Sequence, residues 1–166
     1  DRLNLRKIGV KIGRYHIFLP KMLKPSAVEL RVKLWKLYFH EDKKYIIPKY
    51  GLNFLKNETK KNSKFLLICG YENFDKFYVR VDILERFFLK IIENTKDKAF
   101  KINSDMINLI GCSKENFFKL LELMEYKSKN KKEEFFIYKP KLAKNKKVEK
   151  TSKNNPFEKL SELRFR

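Results

Sequence analysis

The sequence predicts an α+β fold, and three observations support that prediction. Two apolar stretches with helical spacing lie at residues 25–39 and at about 83–93. Two short aromatic stretches, "YENFDKFYVR" and "FFIY", have the alternation and flanking polar turns of hairpin strands. A glycine at position 111 divides residues 104–124 into two short helices. Hydrophobic residues make up 43% of the 166, which is enough to form a core.

Residues 1–24 are predicted to be an extended segment or hairpin. Gly9 and Gly13 punctuate the stretch "KIGVKIGRYHIFLP", and Pro20 ends it. The residues between these positions alternate as they do in a strand. Because the chain begins at Asp1 without a methionine, we expect this segment to continue from a longer upstream protein.

Residues 25–80 are predicted to form a first helix and hairpin. Pro25 fits the first turn of the helix. Helical spacing predicts its apolar side from Ala27, Leu30, Leu34 and Leu37, widened by Trp35 and Phe39. The mixed, polar residues 40–63 are predicted to be an irregular connection, and the hairpin follows it.

Residues 81–140 are predicted to form a second unit, which begins with a helix capped by Asp82. The buried face of that helix is predicted to comprise Ile83, Leu84, Phe87, Phe88 and Ile91. Ser104 and Ser113 are predicted to cap two further helices, with Gly111 in a left-handed conformation between them. The second of these helices is predicted to bury Phe117, Leu120, Leu121 and Met124.

The order of these elements is that of a winged-helix domain. Tyr126 begins a strand that a lysine-rich turn joins to "FFIY", so helices, turn, helix and hairpin follow one another. The alternative is a small α+β domain that does not enter a groove of nucleic acid. Since "KFLLICGYENFDKFYVRV" repeats the pattern of a helix end, a tyrosine, a polar turn and an aromatic strand, the chain is predicted to contain two winged-helix-like halves.

Charge favours a polyanionic partner. The formal charge is +20, and neutralising phosphates releases counterions from nucleic acid. Only eight of the 40 basic residues are Arg, and AT-rich codons account for part of the lysine content. The last 28 residues carry ten basic and three acidic side chains, so 141–166 is predicted to be a disordered basic tail ending in a short apolar motif.

The candidate nucleic-acid-binding residues are Arg14, Lys114, Asn116, Lys119, Lys127, Lys129, Lys131 and Lys132. Those at 114–119 lie opposite Phe117 on the predicted recognition helix, where phosphate and base contacts are made. Those at 127–132 lie in the predicted wing. Arg14 is included because a guanidinium fork suits phosphate. The alternatives are an ordinary solvated helix face and a lysine-rich loop without function.

No catalytic group is predicted. Asp82 and Glu85 are three residues apart, but a helix cap and a surface ion pair with Arg86 or Lys90 explain them without a second base or a metal. His16 and His40 are isolated histidines with structural or exposed roles. Cys112 is predicted to pack, and neither it nor Cys69 belongs to a zinc-binding pattern or a disulfide framework.

Three long stretches resemble one protein family. They are "GVKIGRYHIFLPKMLKPSAVELRVKLW", "GYENFDKFYVRVDILER" and "INSDMINLIGCSKENFFKLLELMEY". In this order and spacing they resemble the C-terminal region of alphaproteobacterial ATP-dependent superfamily 2 helicases, which are related to the mitochondrial degradosome RNA helicase. The resemblance covers about residues 1–140, and "NNPFEKLSEL" looks like a tail motif of the same proteins.

The resemblance implies an accessory domain of a helicase whose motor lies upstream. No GxxxxGK[ST] phosphate loop, Walker B acid or arginine finger is found in these 166 residues, so ATP and Mg²⁺ would bind only in the upstream core. The implied partners are nucleic acid, with RNA favoured over DNA, and the helicase core itself, in the cytoplasm and away from membranes. The alternative function is a protein-interaction module that tethers the helicase to a nuclease or to the ribosome.

Overall fold

A computed structural model of the chain describes residues 1–41, 43–57, 62–96, 98–130 and 133–139. The helices within these ranges are α1 (Arg2–Lys7), α2 (Pro25–Phe39), α3 (Ser63–Ile68), α4 (Val81–Asn94), α5 (Ser104–Ile110) and α6 (Lys114–Leu123). A 3₁₀ turn, Pro20–Leu23, precedes α2. This mixture of helix and sheet confirms the α+β class, and the predicted tail at 141–166 lies outside the described residues.

The strands within the same ranges form three antiparallel sheets. The strands are β1 (Lys11–Ile12), β2 (Ile17–Phe18), β3 (Phe54–Lys56), β4 (Tyr71–Phe74), β5 (Phe77–Arg80), β6 (Thr95–Lys96), β7 (Ala99–Lys101), β8 (Tyr126–Asn130) and β9 (Glu133–Tyr138). Their orders in the sheets are β1-β2, β3-β5-β4 and β6-β7-β9-β8. In both larger sheets, the strand that precedes the hairpin in sequence pairs with the second strand of that hairpin.

Two hydrophobic cores meet at strand β5. The first core comprises Val28, Val32, Phe65, Leu66, Cys69, Tyr71 and Tyr78. The second core is built from α4, α5, α6 and the last sheet, and it also receives Phe77 and Val79. Successive side chains of a strand point to opposite faces, so Tyr78 enters one core while its two neighbours enter the other. Tyr78 and Val79 are both fully buried. The four-residue strand therefore forms a layer between the two cores.

The second core follows the predicted pattern closely. Every residue predicted for the buried face of α4 is buried, and so are Phe117, Leu120, Leu121 and Met124. Ser113 caps α6 as predicted, because its hydroxyl accepts a hydrogen bond from the amide of Asn116 at 3.4 Å. Gly111 ends α5 with φ of 77°, the left-handed conformation that the turn was predicted to need.

The predicted apolar side of α2 is wrong for its leucines, although Trp35 packs against the first core as predicted. Leu30, Leu34 and Leu37 are 58%, 56% and 72% exposed. The helix instead buries Val28 and Val32 on its opposite side. Both sides of α2 are apolar, so helical spacing alone could not decide which of them faces the protein.

Three further local predictions are corrected. The connection at 40–63 contains the strand Phe54–Lys56, which pairs with β5. Helix α4 begins one residue before Asp82, which does not cap it but binds Arg80 through two hydrogen bonds of 2.6 and 3.0 Å. Asn103, and not Ser104, caps α5, because its side-chain oxygen accepts from the amide of Met106 at 3.0 Å. The residues between α4 and α5, which carried no prediction, form β6 and β7.

A substitution at Gly111 tests the turn between α5 and α6. A Cβ atom at this position would meet no atom within 4 Å, so the cost of Gly111→Ala comes from the left-handed backbone alone. We expect the free energy of unfolding to fall by about 1–2 kcal/mol in urea titrations followed by circular dichroism. Gly111→Asn is the control, because asparagine tolerates this conformation better and should cost less. Equal stability of all three proteins would contradict the assigned turn.

Candidate nucleic-acid interface

The tip of the β1–β2 hairpin is bound by one buried carboxylate. Glu85 on α4 is only 5% exposed. Its oxygens accept hydrogen bonds from the backbone N–H groups of Arg14 at 2.7 Å, Tyr15 at 2.9 Å and His16 at 2.6 Å. Three successive amides that converge on one anion form a compact electrostatic clamp. The hairpin is thereby attached to α4 at a defined position.

Two neighbouring residues complete this clamp. A Cβ atom on Gly13 would collide with the Glu85 carboxylate, so the close approach of the hairpin requires glycine there. The Nδ1 atom of His16 lies 2.9 Å from Glu85 Oε1, and its Nε2 atom lies 3.6 Å from Glu72 Oε2. His16 thus has the structural role predicted for it.

The prediction for Glu85 was wrong. Its carboxylate does not form a surface ion pair with Arg86 or Lys90 but is buried beneath the hairpin. Burial by itself raises the pKa of Glu85, and the hydrogen bonds from the three amides and the His16 ring outweigh it, so the net pKa lies below the ordinary value of a glutamate. No sequence pattern of α4 indicated this role, because the partners lie about 70 residues away.

A groove of about 570 Å³ runs between the hairpin and α4. Its walls include apolar side chains such as Leu89 and Ile92, which are 52% and 49% exposed. Lys11, Arg14 and Arg86 also line it, and all three are exposed. Guanidinium and ammonium groups along an open groove can donate hydrogen bonds to phosphate oxygens.

The basic residues of the N-terminal segment are concentrated and exposed. Residues 1–24 contain seven basic side chains and one acidic side chain, a formal charge of +6. Those basic residues are Arg2, Arg6, Lys7, Lys11, Arg14, Lys21 and Lys24, and every one of them is exposed. The clamp at Glu85 therefore holds Arg14 against α4, with Lys11 in the same groove.

The predicted recognition helix, α6, carries no excess of positive charge, unlike the N-terminal segment. Lys114 and Lys119 lie on its exposed side, as predicted, but Glu115 and Glu122 are exposed there too. The Lys114 ammonium lies 5.7 Å from the centre of the Phe118 ring. With two positive and two negative side chains, α6 presents no net charge to a polyanion.

Asn116 and Lys119 line a second groove, of about 510 Å³, between α6 and the β4–β5 turn. Lys56 and Lys76 also line it, together with the acidic Asp75 and Glu122. The structure thus brings two of the predicted site residues together with lysines of the first half. No sequence signal linked these lysines to α6, since the two lie on separate elements.

The predicted wing residues are placed only in part. Lys127 is exposed at the beginning of β8, and the backbone of Lys129 lies in the same strand. Lys131 and Lys132 lie outside the described residues. Arg14, by contrast, is placed at the hairpin tip and lines the groove with Arg86. The groove at Arg14 is lined by three basic and two acidic side chains, the same balance as the groove at Lys119.

Chemistry other than binding has little support at these positions. Burial raises the pKa of both Cys69 and Cys112 to about 11, so neither thiol is activated at neutral pH. Among the described residues, no group of three His, Cys, Asp or Glu side chains is arranged to hold a metal ion. In the same part of the chain, no helix has both the length and the apolar character to cross a bilayer.

Comparison with protein-family models, curated proteins and solved structures finds no match for the chain.

Replacing Glu85 tests the clamp. Glu85→Ala leaves three backbone N–H groups without their acceptor, and we expect the hairpin to leave α4 and bind water instead. The free energy of unfolding should fall by about 1–3 kcal/mol, and amide exchange at residues 11–18 should accelerate. Glu93→Ala, which removes an exposed carboxylate from the same helix, is the control. Unchanged exchange at the hairpin in Glu85→Ala would contradict this account.

The lowered pKa of Glu85 gives the clamp a pH dependence. A carboxyl whose pKa is lower in the folded protein stabilises the fold above its unfolded pKa, and that contribution is lost as pH falls through the folded value. We therefore expect the protection factors of the hairpin amides, which are corrected for the intrinsic pH dependence of exchange, to be high at neutral pH and to fall on acidification. Glu85→Gln should remove this particular acid dependence. A transition of the same size in both proteins would assign it to other groups.

Proposed function

We propose that this chain is a C-terminal accessory domain of an ATP-dependent helicase, and that it binds or guides nucleic acid beside the motor. One observation carries the proposal: the hairpin tip that bears Arg14 is held at a fixed place on α4 by the buried Glu85 carboxylate, beside the exposed Lys11 and Arg86. Flexible basic segments need no buried anion, whereas a basic surface that positions a strand needs a rigid support.

The architecture of the second unit supports a winged-helix interpretation. Its elements run α4, β6, β7, α5, α6, β8, β9, with a tight turn at Gly111 between α5 and α6. Strand β7 pairs with β9, the second strand of the hairpin, in the sheet order β6-β7-β9-β8. In this interpretation α6 would be the recognition helix. Its balanced charge suits shape-dependent positioning better than tight phosphate binding.

In this proposal the chain itself is not catalytic. ATP and Mg²⁺ would belong to the upstream helicase core, and the domain would hold the strand that enters or leaves it in the cytoplasm. Arg14, Lys11 and Arg86 would contact phosphates along the hairpin groove. RNA is favoured over DNA because of the resemblance to a family related to an RNA helicase.

A second function is favoured by one specific observation, the exposed side of α2. Leu30, Leu34, Leu37 and Tyr38 form a continuous apolar stripe at the spacing of a helix-docking surface. A module with such a surface would tether the helicase to a protein, such as a nuclease or a ribosomal protein. The basic hairpin would then be incidental to its function.

A salt series with matched variants distinguishes the two functions. Replacing Lys11, Arg14 and Arg86 with Gln should reduce the slope of log affinity against log salt by about 2 to 3 units, since each lost phosphate contact removes roughly 0.7–0.9. The control replaces Lys33, Lys43 and Lys64, which are exposed lysines of the first half, with Gln. That protein has the same net charge and should change the slope by less than about one unit.

The result that would contradict the proposal is equally specific. If both triple variants change the slope equally, the affinity depends on net charge and not on the hairpin groove. If the wild-type chain binds no strand at low salt, the interaction-module function takes precedence.

A further inference from the structure

Two exposed tyrosines lie beside the basic hairpin. Tyr15 follows Arg14 at the tip and is 59% exposed, although its ring packs on Phe88 of α4 with centroids 4.1 Å apart. Tyr138 ends β9 and is 53% exposed, while its ring contacts Tyr126 at 5.3 Å. Each ring is supported on one side by a buried aromatic side chain and is open to water on the other.

Both rings rest on the same core. Their supports, Phe88 and Tyr126, are members of the same second core. Burial first, and then the Tyr15 and Tyr138 phenols, raise the pKa of Tyr126 to about 12. The pKa of Tyr138 is likewise raised by burial, by Glu125 and by Tyr15.

The groove beside Tyr15 is lined by three basic and two acidic side chains, and both acids are bound within the protein, Asp82 by Arg80 and Glu85 by the hairpin. Arg14 is adjacent to Tyr15 in sequence, and the groove that continues from it is lined by Lys11 and Arg86. Glu85, the buried acid at this place, is already saturated by the hairpin amides and His16. Glu125 is the acidic group at the far edge, with its Oε2 atom 3.5 Å from the Tyr138 hydroxyl.

We propose that Tyr15 and Tyr138 form a base-stacking platform that selects single-stranded nucleic acid. The inference rests on the proposed function and adds the class of ligand. Aromatic side chains beside a positively charged groove bind single strands because unpaired bases expose their faces, which a duplex buries in its own stack. Both rings are held rigidly from beneath, so little side-chain freedom is lost when a base stacks on them.

The test uses Tyr15→Leu and Tyr138→Leu in the full chain. Leucine keeps an apolar side chain against Phe88 or Tyr126 but removes the ring face. We expect affinity for a short oligouridylate to fall by about 5- to 150-fold for each base that loses its stack. The slope against salt should not change, because no charge is removed. Tyr15→Phe should retain the affinity, and Tyr50→Leu, at an exposed tyrosine before β3, should have no effect.

An abasic strand of the same length and charge gives the decisive comparison. The wild type should bind it about as weakly as the double leucine variant binds the oligouridylate, and the variant should bind both strands alike. The matching oligothymidylate shows whether the platform distinguishes DNA from RNA, and a loss there too would support stacking on either.

Two results would overturn the inference. If the leucine variants bind the oligouridylate as the wild type does, the rings do not stack on bases, although the groove would still bind phosphates. If affinity for the abasic strand falls equally, the substitutions have disturbed the fold and not removed a platform. If the wild-type chain binds no strand at all, the proposed function itself is refuted. The salt series with the triple variants detects that outcome separately.

Discussion

Strand β5 is the constraint on which the rest of this structure depends. Its first three residues are buried, with Tyr78 in the first core and with Phe77 and Val79 in the second. The two hydrophobic cores therefore share one strand. Loss of packing in either core would expose one face of β5 to water. Helix α4 begins directly after this strand, with no intervening loop, so the direction of β5 fixes where the helix runs.

The candidate interface is the next consequence of that arrangement. Glu85 lies in the second turn of α4, and its buried carboxylate binds three amides at the tip of the N-terminal hairpin. A chain of contacts thus leads from β5 through α4 to Arg14 and Tyr15. At the hairpin tip, the positive side chain of Arg14 and the exposed ring of Tyr15 therefore lie next to each other. A rigidly placed combination of the two is what single-strand binding requires.

The sequence predicted the parts of the fold that depend on local patterns. The buried faces of α4 and α6 and the turn at Gly111 follow from spacing and backbone preference, and the structure has all of them. The exposed stripe of α2 was not predictable, because both of its sides are apolar and only tertiary packing chooses between them. The clamp at Glu85 was missed for a related reason. A glutamate on an amphipathic helix resembles a surface residue until its distant partners are placed.

The most direct test of the central claim is to locate the bound strand. Ultraviolet irradiation of the complex with an oligouridylate, followed by mass spectrometry of the cross-linked peptides, identifies the side chains that touch bases. The account predicts cross-links in residues 11–18 and at the end of β9, near Tyr15 and Tyr138, and their loss in Glu85→Ala. Cross-links confined to α2 or α6, and unchanged in that variant, would contradict it.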